Sequence, residues 1–139
     1  MEKQTRRWIK WDDMLELGHA GMDADHKRLV DLVNQLADCA VGDTGGEAYG
    51  ELLDRLFAEA RSHFEHEERL MARYGYPHTE EHTAEHVKLI ETALEYKTRF
   101  GASVQPSVSL LYFFEQWLTR HIMSSDRELA AFVIAAANK

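Results

Sequence analysis

The stretch His63–His86, HFEHEERLMARYGYPHTEEHTAEH, contains two pairs of potential metal ligands. In each pair the residues are four apart: His63 with Glu67, and His82 with His86. Positions four apart lie on one face of an α-helix, one turn from each other, so both side chains of a pair can reach the same point. Each pair therefore indicates a helix that presents two ligands in one direction.

A helix break, Gly75-Tyr-Pro-His-Thr79, separates the two pairs. Glycine and proline end one helix, and Thr79 is predicted to cap the next one. Because helices joined by so short a turn run antiparallel and touch, three imidazoles and one carboxylate are expected to face one another. The stretch therefore predicts half of a metal site.

Amphipathic spacing on both sides of this stretch predicts further helices. An arm whose Trp8 and Trp11 pack onto the rest is expected first, and Asp23 is predicted to cap the first helix. Four long helices and a short last one favour an all-α fold, an antiparallel up-down-up-down four-helix bundle with an N-terminal arm and a short C-terminal helix. We predict a single domain over 1–139, divided into the arm (1–21), the bundle (22–125) and a C-terminal segment (126–139).

The composition argues against several classes of protein. Its 139 residues, 45% of them hydrophobic, suit one domain, and the net charge of −8 disfavours nucleic-acid binding. The single Cys39 provides neither an internal disulfide nor a thiolate zinc site. The start of the chain lacks a signal-peptide core, and the longest apolar run is far shorter than the roughly 20 residues of a membrane span. We expect a cytoplasmic monomer without membrane insertion.

Five histidines fall on the predicted inward faces: His26, His63, His82, His86 and His121. One buried histidine is most often satisfied by a backbone carbonyl. Five in one bundle would leave several polar groups unpaired, at about 1–3 kcal/mol each. Metal ions remove that cost, because each imidazole gives one lone pair to the ion and donates its other ring nitrogen's proton to a nearby acceptor.

The segment HIMSSD, His121–Asp126, adds a second carboxylate. A spacing of five corresponds to about 140° around a regular α-helix, so His121 and Asp126 cannot face one point there. We therefore predict that the helix ends or unwinds near Ser124 and turns Asp126 inward. The alternative is that Asp126 caps the last helix.

Seven candidate ligands exceed the needs of one tetrahedral zinc and suit two ions that share carboxylates. Imidazole and carboxylate ligands without thiolate favour iron or manganese. A ferritin-like diiron site would need two ExxH motifs on facing helices, whereas the one ExxH sequence here runs from Glu16 to His19, in the arm. The candidate site is too rich in histidine for that class.

Five motifs in order carry a family resemblance: GMDADHK around His26, HFEHEE at His63–Glu68, GYP at Gly75–Pro77, HTAEH at His82–His86 and WLTRHIMSSD at Trp117–Asp126. With these motifs the chain resembles the hemerythrin family over nearly its whole length, in particular the single-domain bacterial hemerythrins. The resemblance implies two iron ions (Fe2+/Fe3+) joined by an oxo or hydroxo group. It implies one iron on His82, His86 and His121, another on His26 and His63, and bridges from Glu67 and Asp126.

The resemblance also implies that O2 binds reversibly at the open position of the two-histidine iron. Bulky apolar residues should keep water and protons away from that position, and Leu29, Phe64 and Trp117 are the candidates. Ser124 stands where some members carry a large aliphatic residue, which predicts a wetter pocket and faster autoxidation. A Ser124→Leu variant should slow autoxidation, and an unchanged rate would contradict this prediction.

The leading function is noncatalytic O2 carriage, storage or delivery, with an O2-consuming enzyme as a candidate recipient. The alternatives are a diiron oxidase, a peroxidase or a nitric oxide scavenger, and an iron or oxygen sensor. No ligand role is predicted for the leftover residues, and His66 is expected to be exposed to solvent; these residues are His19, His66, His78 and Glu68.

Overall fold

The structure, a computed structural model, describes residues 9, 11, 13, 15–41, 46–100 and 108–138. The helices are α1 (Ala20–Val41), α2 (Gly46–Tyr74), α3 (Thr79–Phe100), α4 (Val108–His121) and α5 (Arg127–Ala137), and a π-helical turn, Ile122–Asp126, joins α4 to α5. Helix α1 packs against α2 and α4, and α3 also lies against α2 and α4. The predicted all-α four-helix bundle with a C-terminal helix is confirmed.

The start of α1 differs from the prediction. The helix begins at Ala20, and the Nδ1 atom of His19 accepts a hydrogen bond from the backbone N–H of Met22 at 3.1 Å. The carboxylate of Asp23 instead accepts hydrogen bonds from the N–H groups of Leu17 and Gly18, at 2.9 and 3.2 Å. The cap prediction for Asp23 is wrong because the preceding chain folds back over the first turn. The division into arm, bundle and C-terminal segment remains a prediction.

The turn between α2 and α3 ends one helix as predicted but starts the next differently. Gly75 has φ +66°, and the N–H of Tyr76 donates to the carbonyl of Met71 at 3.0 Å, the pattern of a glycine-ended helix. The hydroxyl of Thr79 donates to the Tyr76 carbonyl at 2.7 Å. Thr79 is the first residue of α3, and its side chain does not cap the helix, so that prediction is wrong.

Part of the arm is attached to α1 through a side-chain amide. Asn34 accepts a hydrogen bond from the N–H of Ile9 and donates one to its carbonyl, both at 2.9 Å. Trp11 packs against the core, with the Nζ atom of Lys27 5.3 Å from its ring centroid. The predicted packing is confirmed for Trp11, whereas Trp8 lies outside the described residues.

Two apolar clusters occupy the interior. The larger cluster includes Leu29, Leu36 and Leu111, and the smaller one, which includes Met22 and Leu129, lies where α5 packs against the bundle. Over the ranges that the structure describes, no helix is both long and apolar enough to span a membrane.

Candidate metal centre

A layer of buried polar side chains separates the two apolar clusters. Along α1, His26 follows Met22 of the smaller cluster by one turn and precedes Leu29 of the larger one. The polar layer consists of all seven predicted ligands, each of them buried: His26, His63, Glu67, His82, His86, His121 and Asp126. The structure therefore brings together the residues that the sequence singles out.

The π-helical turn determines the position of Asp126. A π-helix bonds each carbonyl to the N–H five residues on, which brings residues five apart to the same side. The Nε2 atom of His121 lies 2.9 Å from Oδ1 of Asp126. Asp126 is fully buried, and its side chain forms no capping bond to α5. The helix thus unwinds where the sequence predicts it, and the alternative that Asp126 caps α5 is wrong.

The carboxylate of Glu67 faces two groups of histidines. Its Oε1 atom lies 2.9 Å from Nε2 of His82 and 3.0 Å from Nε2 of His86. Its Oε2 atom lies 2.6 Å from Nε2 of His63 and 3.4 Å from Nε2 of His26. One carboxylate oxygen is therefore directed to each group.

Asp126 repeats this arrangement. Its Oδ1 atom approaches Nε2 of His82 at 3.1 Å and Nε2 of His121 at 2.9 Å, while Oδ2 lies 2.9 Å from Nε2 of His26. The interior thus contains a three-histidine group and a two-histidine group that share Glu67 and Asp126. Both groups, with the shared carboxylates, are compact enough to hold a metal ion.

The chemistry of these side chains fits metal ions better than it fits hydrogen bonds among themselves. Within the described part of the chain, six buried polar atoms lack a hydrogen-bond partner, including both oxygens of Asp126, Oε2 of Glu67 and Nε2 of His121. The 2.9 Å approach of His121 to Asp126 lacks the alignment of a hydrogen bond. Each unpaired buried group costs about 1–3 kcal/mol. A cation between the imidazole and carboxylate lone pairs would remove this cost.

The histidines and carboxylates shift one another's pKa. Burial lowers the pKa of His63 and His121, but the neighbouring carboxylates outweigh it and raise each pKa to about 10. The same carboxylates raise the pKa of His82 to about 9. Burial raises the pKa of Glu67 and Asp126, but the surrounding histidines hold both below their usual values. The centre therefore favours charged carboxylates.

His86 behaves differently from the other two histidines of its group. Burial lowers its pKa, and the neighbouring His121 and His82 act in the same direction. Its contact with Glu67 does not compensate for these effects. His86 is therefore the histidine of this group that most readily offers a neutral imidazole to an ion.

Two acidic residues that the sequence could not pair contact the outer nitrogens of the histidines. Oδ2 of Asp25 lies 3.1 Å from Nδ1 of His63, and Oε2 of Glu85 lies 3.4 Å from Nδ1 of His121. Oε2 of Glu68 is 4.0 Å from Nδ1 of His86. Asp25 precedes a histidine in sequence, but neither it nor Glu85 lies at a spacing that identifies its partner on another helix.

His66 is not the exposed side chain that its position suggests. Its side chain is 32% exposed, and its Nδ1 atom lies 2.9 Å from Oδ2 of Asp25. The prediction that His66 is exposed to solvent is wrong, because Asp25 of α1 pairs with its ring and partly covers it. His78 is exposed in its turn and pairs with Glu81 at 3.1 Å.

A small apolar cavity of about 20 Å³ adjoins the polar layer. Its described lining is entirely apolar and includes three predicted pocket residues, Leu29, Phe64 and Trp117. The Phe64 ring stacks on His86 with centroids 4.0 Å apart, and Trp117 stacks on His121 at 4.5 Å. The cavity exceeds the roughly 10–15 Å³ that a single water molecule needs.

Ser124, the fourth predicted pocket residue, lies on the outside. It is exposed, and its hydroxyl donates to the carbonyl of Arg120 at 2.6 Å. With Trp117, His121 and Glu85 it lines an open outer pocket of about 320 Å³. Trp117 thus borders both the inner cavity and this outer pocket.

The four-helix bundle and the two histidine groups with shared carboxylates in its interior are typical of metal-binding helical bundles. The family model described as "Hemerythrin HHE cation binding domain" matches residues 17–133. The chain belongs to the hemerythrin family. Members of this family bind O2, and the domain implies bound iron.

Individual relatives agree with this assignment. The chain is 33% identical to a bacteriohemerythrin of Stenotrophomonas maltophilia over 131 residues, 94% of this chain and 85% of the relative. It is 32% identical to a hemerythrin-like protein of Naegleria gruberi, over 85% of this chain and 87% of that one. A crystal structure of wild-type hemerythrin, 28% identical, superposes with a TM-score of 0.81 over 90% of this chain and 97% of its own.

Proposed function

We propose that this protein binds O2 reversibly at a diiron centre, for oxygen carriage, storage or delivery. The observation that carries the proposal is the pair of shared carboxylates: Glu67 and Asp126 each direct one oxygen to the three-histidine group and the other to the two-histidine group. This arrangement supports two ions with unequal numbers of protein ligands. The proposed ligands are His26, His63, Glu67, His82, His86, His121 and Asp126.

Two ferrous ions in these positions, joined by an oxo or hydroxo group, would supply the two electrons on which reversible O2 binding depends. The chain's own part is to hold the imidazoles and carboxylates in place. His26 and His63 provide only two histidines on their side, which leaves room for a ligand from outside the protein. Glu67 and Asp126 keep the two positions adjacent, since each carboxylate reaches both.

The apolar cavity supports reversible binding over chemical turnover. Phe64 and Trp117 cover His86 and His121 with flat apolar surfaces, and Leu29, one turn after His26, also lines the cavity. None of the described residues that line the cavity carries a titratable side chain. A reaction that consumes O2 needs protons, so a lining without a proton donor favours release of unchanged O2.

The proposal extends to the setting of the protein. We propose a cytoplasmic monomer that delivers O2 to an O2-consuming enzyme. The net charge of −8 opposes self-association, and a single cysteine, the buried Cys39, is compatible with a reducing compartment. Sedimentation and pull-down from cells would test these two points separately from O2 binding.

A spectroscopic cycle tests the function. Protein loaded anaerobically with Fe(II) is exposed to air and then to argon, while its visible spectrum and its iron content are measured. Reversible binding predicts two irons per chain and a charge-transfer band that appears with O2 and disappears under argon over repeated cycles. A single irreversible change with release of peroxide would instead indicate an oxidase.

A further inference from the structure

Asp25, on α1, occupies the contact between α1 and α2 beside the candidate metal centre. Its Oδ2 atom accepts hydrogen bonds from Nδ1 of His63 at 3.1 Å and from Nδ1 of His66 at 2.9 Å. Its Oδ1 atom accepts a close hydrogen bond from the guanidinium of Arg28. The side chain is only 14% exposed. Three side chains from two helices thus meet at one carboxylate.

We propose that Asp25 is the positioning residue for His63, and that it thereby controls how firmly the two-histidine side of the centre retains its ion. This inference rests on the diiron centre of the proposed function. His63 directs Nε2 to Glu67 at 2.6 Å and Nδ1 to Asp25. A carboxylate at Nδ1 fixes the ring orientation and the tautomer, and it strengthens Nε2 as a ligand.

Among the seven proposed ligands, Asp25 forms a hydrogen bond to a histidine of the two-histidine side, His63. Nδ1 of His26 has no hydrogen-bond partner among the described residues. On the three-histidine side, His121 lies 3.4 Å from Glu85 and is also covered by the ring of Trp117. Loss of Asp25 should therefore weaken one metal position and leave the other nearly unchanged.

His66 acts through Asp25. Both imidazoles donate to the same oxygen, so His66 helps to hold that oxygen in front of His63. The His66 ring also lies close to Gly21 of α1. A Cβ atom added at Gly21 would be only 3.2 Å from the Cε1 atom of His66, so α1 confines the ring. A side chain at position 66 that can still donate should preserve the arrangement, and one that cannot donate should weaken it.

Metal release measures this control directly. Wild-type protein and the variants Asp25→Asn, His66→Leu and His66→Gln are loaded anaerobically with Fe(II), the bound ions are counted, and release to a strong chelator is followed. Asp31→Asn is the matched control, since Asp31 is an exposed residue of the same helix and loses the same charge.

Asp25→Asn should release one of its two ions about 10- to 100-fold faster than wild type, the range expected when a ligand loses its outer partner. The second ion should leave at the wild-type rate. His66→Leu should accelerate the same phase less, while His66→Gln, which keeps an N–H donor, and Asp31→Asn should match wild type. Equal release from Asp25→Asn and Asp31→Asn, or equal acceleration of both ions, would overturn the proposal.

A second readout does not require iron. In 15N-labelled protein the Nδ1 proton of His63 should give a slowly exchanging imidazole signal, which Asp25→Ala should abolish and Asp31→Asn should retain. Persistence of that signal in Asp25→Ala would contradict the contact. If wild-type protein retains fewer than two ions, the proposed function fails, while this signal still decides whether Asp25 positions His63.

Circular dichroism of each variant checks that unfolding is not the cause of faster metal release or of a lost signal. His66→Leu tests the proposal without changing α1.

Discussion

Two regions of this interior are equally sealed from solvent but are stabilised differently. Leu36 and Leu111 in the larger apolar cluster are fully buried, and so are Glu67 and Asp126 in the polar layer. The apolar side chains gain from burial in proportion to the surface they remove from water. The polar side chains lose water without obtaining a full set of hydrogen bonds. Burial alone therefore identifies neither region as stabilising.

The two regions also share the same helices, which limits how each can adjust. Helix α1 passes from Met22 through His26 to Leu29, and the chain between α4 and α5 passes from Ile122 through Asp126 to Leu129. Apolar packing above and below thus fixes the positions of the polar groups. The polar layer therefore has little freedom to rearrange its unpaired atoms, and an ion bound between them would satisfy those atoms.

Glu67→Ala should break the polar layer most completely. One oxygen of Glu67 faces each histidine group, so we expect metal affinity to fall at both positions by more than about 100-fold, beyond the loss typical of an outer partner. Metal analysis after passage over a chelating resin measures the loss. Glu68→Ala is the control, because its side chain is 40% exposed and 4.0 Å from His86. Two ions retained by Glu67→Ala would exclude the shared-carboxylate arrangement.

Leu36→Ala should destabilise the apolar cluster by the same amount in metal-loaded and in stripped protein. Removal of a fully buried leucine side chain costs about 2–5 kcal/mol of unfolding free energy. We expect the same loss in both forms, since Leu36 lies in the apolar cluster and not in the polar layer. Urea unfolding of wild type and variant, with and without metal, gives the four values. A loss confined to the loaded form would show that the two regions are coupled.

The stability of protein stripped of metal by a chelator should depend on pH in a defined direction. The pKa of His63 and His121 is raised to about 10. Protonation of these two histidines therefore contributes its full stabilisation below the ordinary histidine pKa of 6.5, and this stabilisation is lost as pH rises towards 10. The pKa of Glu67 and of Asp126 is lowered. Their charged carboxylates therefore stabilise the fold above the ordinary pKa values of 4.5 and 3.8, and this stabilisation is lost on acidification. Stability of the stripped protein should therefore be greatest between these limits.

Urea unfolding at pH 5.5, 7.5 and 8.5 would test this window. One histidine that keeps its proton only in the folded state gives a slope of about 1.4 kcal/mol per pH unit, so we expect a fall of at least about that size between pH 7.5 and 8.5. Metal-loaded protein should show a smaller fall or none, because bound imidazoles are already neutral. A stripped protein whose stability rises with pH over this range would contradict the assignment of charge.

How much of this arrangement was predictable depends on whether it lies within one helix or between two. The spacings at His63 to Glu67 and at His82 to His86 predicted the inward ligands, because the helical repeat alone decides which side chains share a face. The unwinding before Asp126 was predictable because its spacing from His121 does not fit a regular helix. Each of these inferences needs only local geometry.

Contacts between helices could not be read from the same pattern. Asp25 meets His63 and His66 because of the rotation of α1 relative to α2, which neither helix's own sequence specifies. Asp23 was predicted as a cap from its residue type, but the fold of the preceding chain gave it other donors. Acidic residues suit several roles equally well, so tertiary packing decides among them.

Ser124→Leu addresses the boundary between the polar layer and solvent, and its effect should be the smallest. Ser124 lies beside His121 and Trp117 on the open outer pocket, in the unwound turn. A leucine there would cover polar surface next to His121 and reduce the access of water and protons. We expect autoxidation of the oxygenated protein to slow by a few-fold while the number of bound irons stays the same. The decay of the charge-transfer band in air measures the rate.

Ser124→Ala separates the two consequences of that substitution. The hydroxyl of Ser124 donates to the carbonyl of Arg120, a bond that bends helices, and both variants remove it. Only leucine adds apolar bulk over the outer pocket. If exclusion of water governs autoxidation, Ser124→Ala should behave like wild type and Ser124→Leu should be slower. Equal slowing in both variants would attribute the effect to the geometry of the turn that carries Asp126, and equal rates in all three proteins would rule out Ser124 as a control on autoxidation.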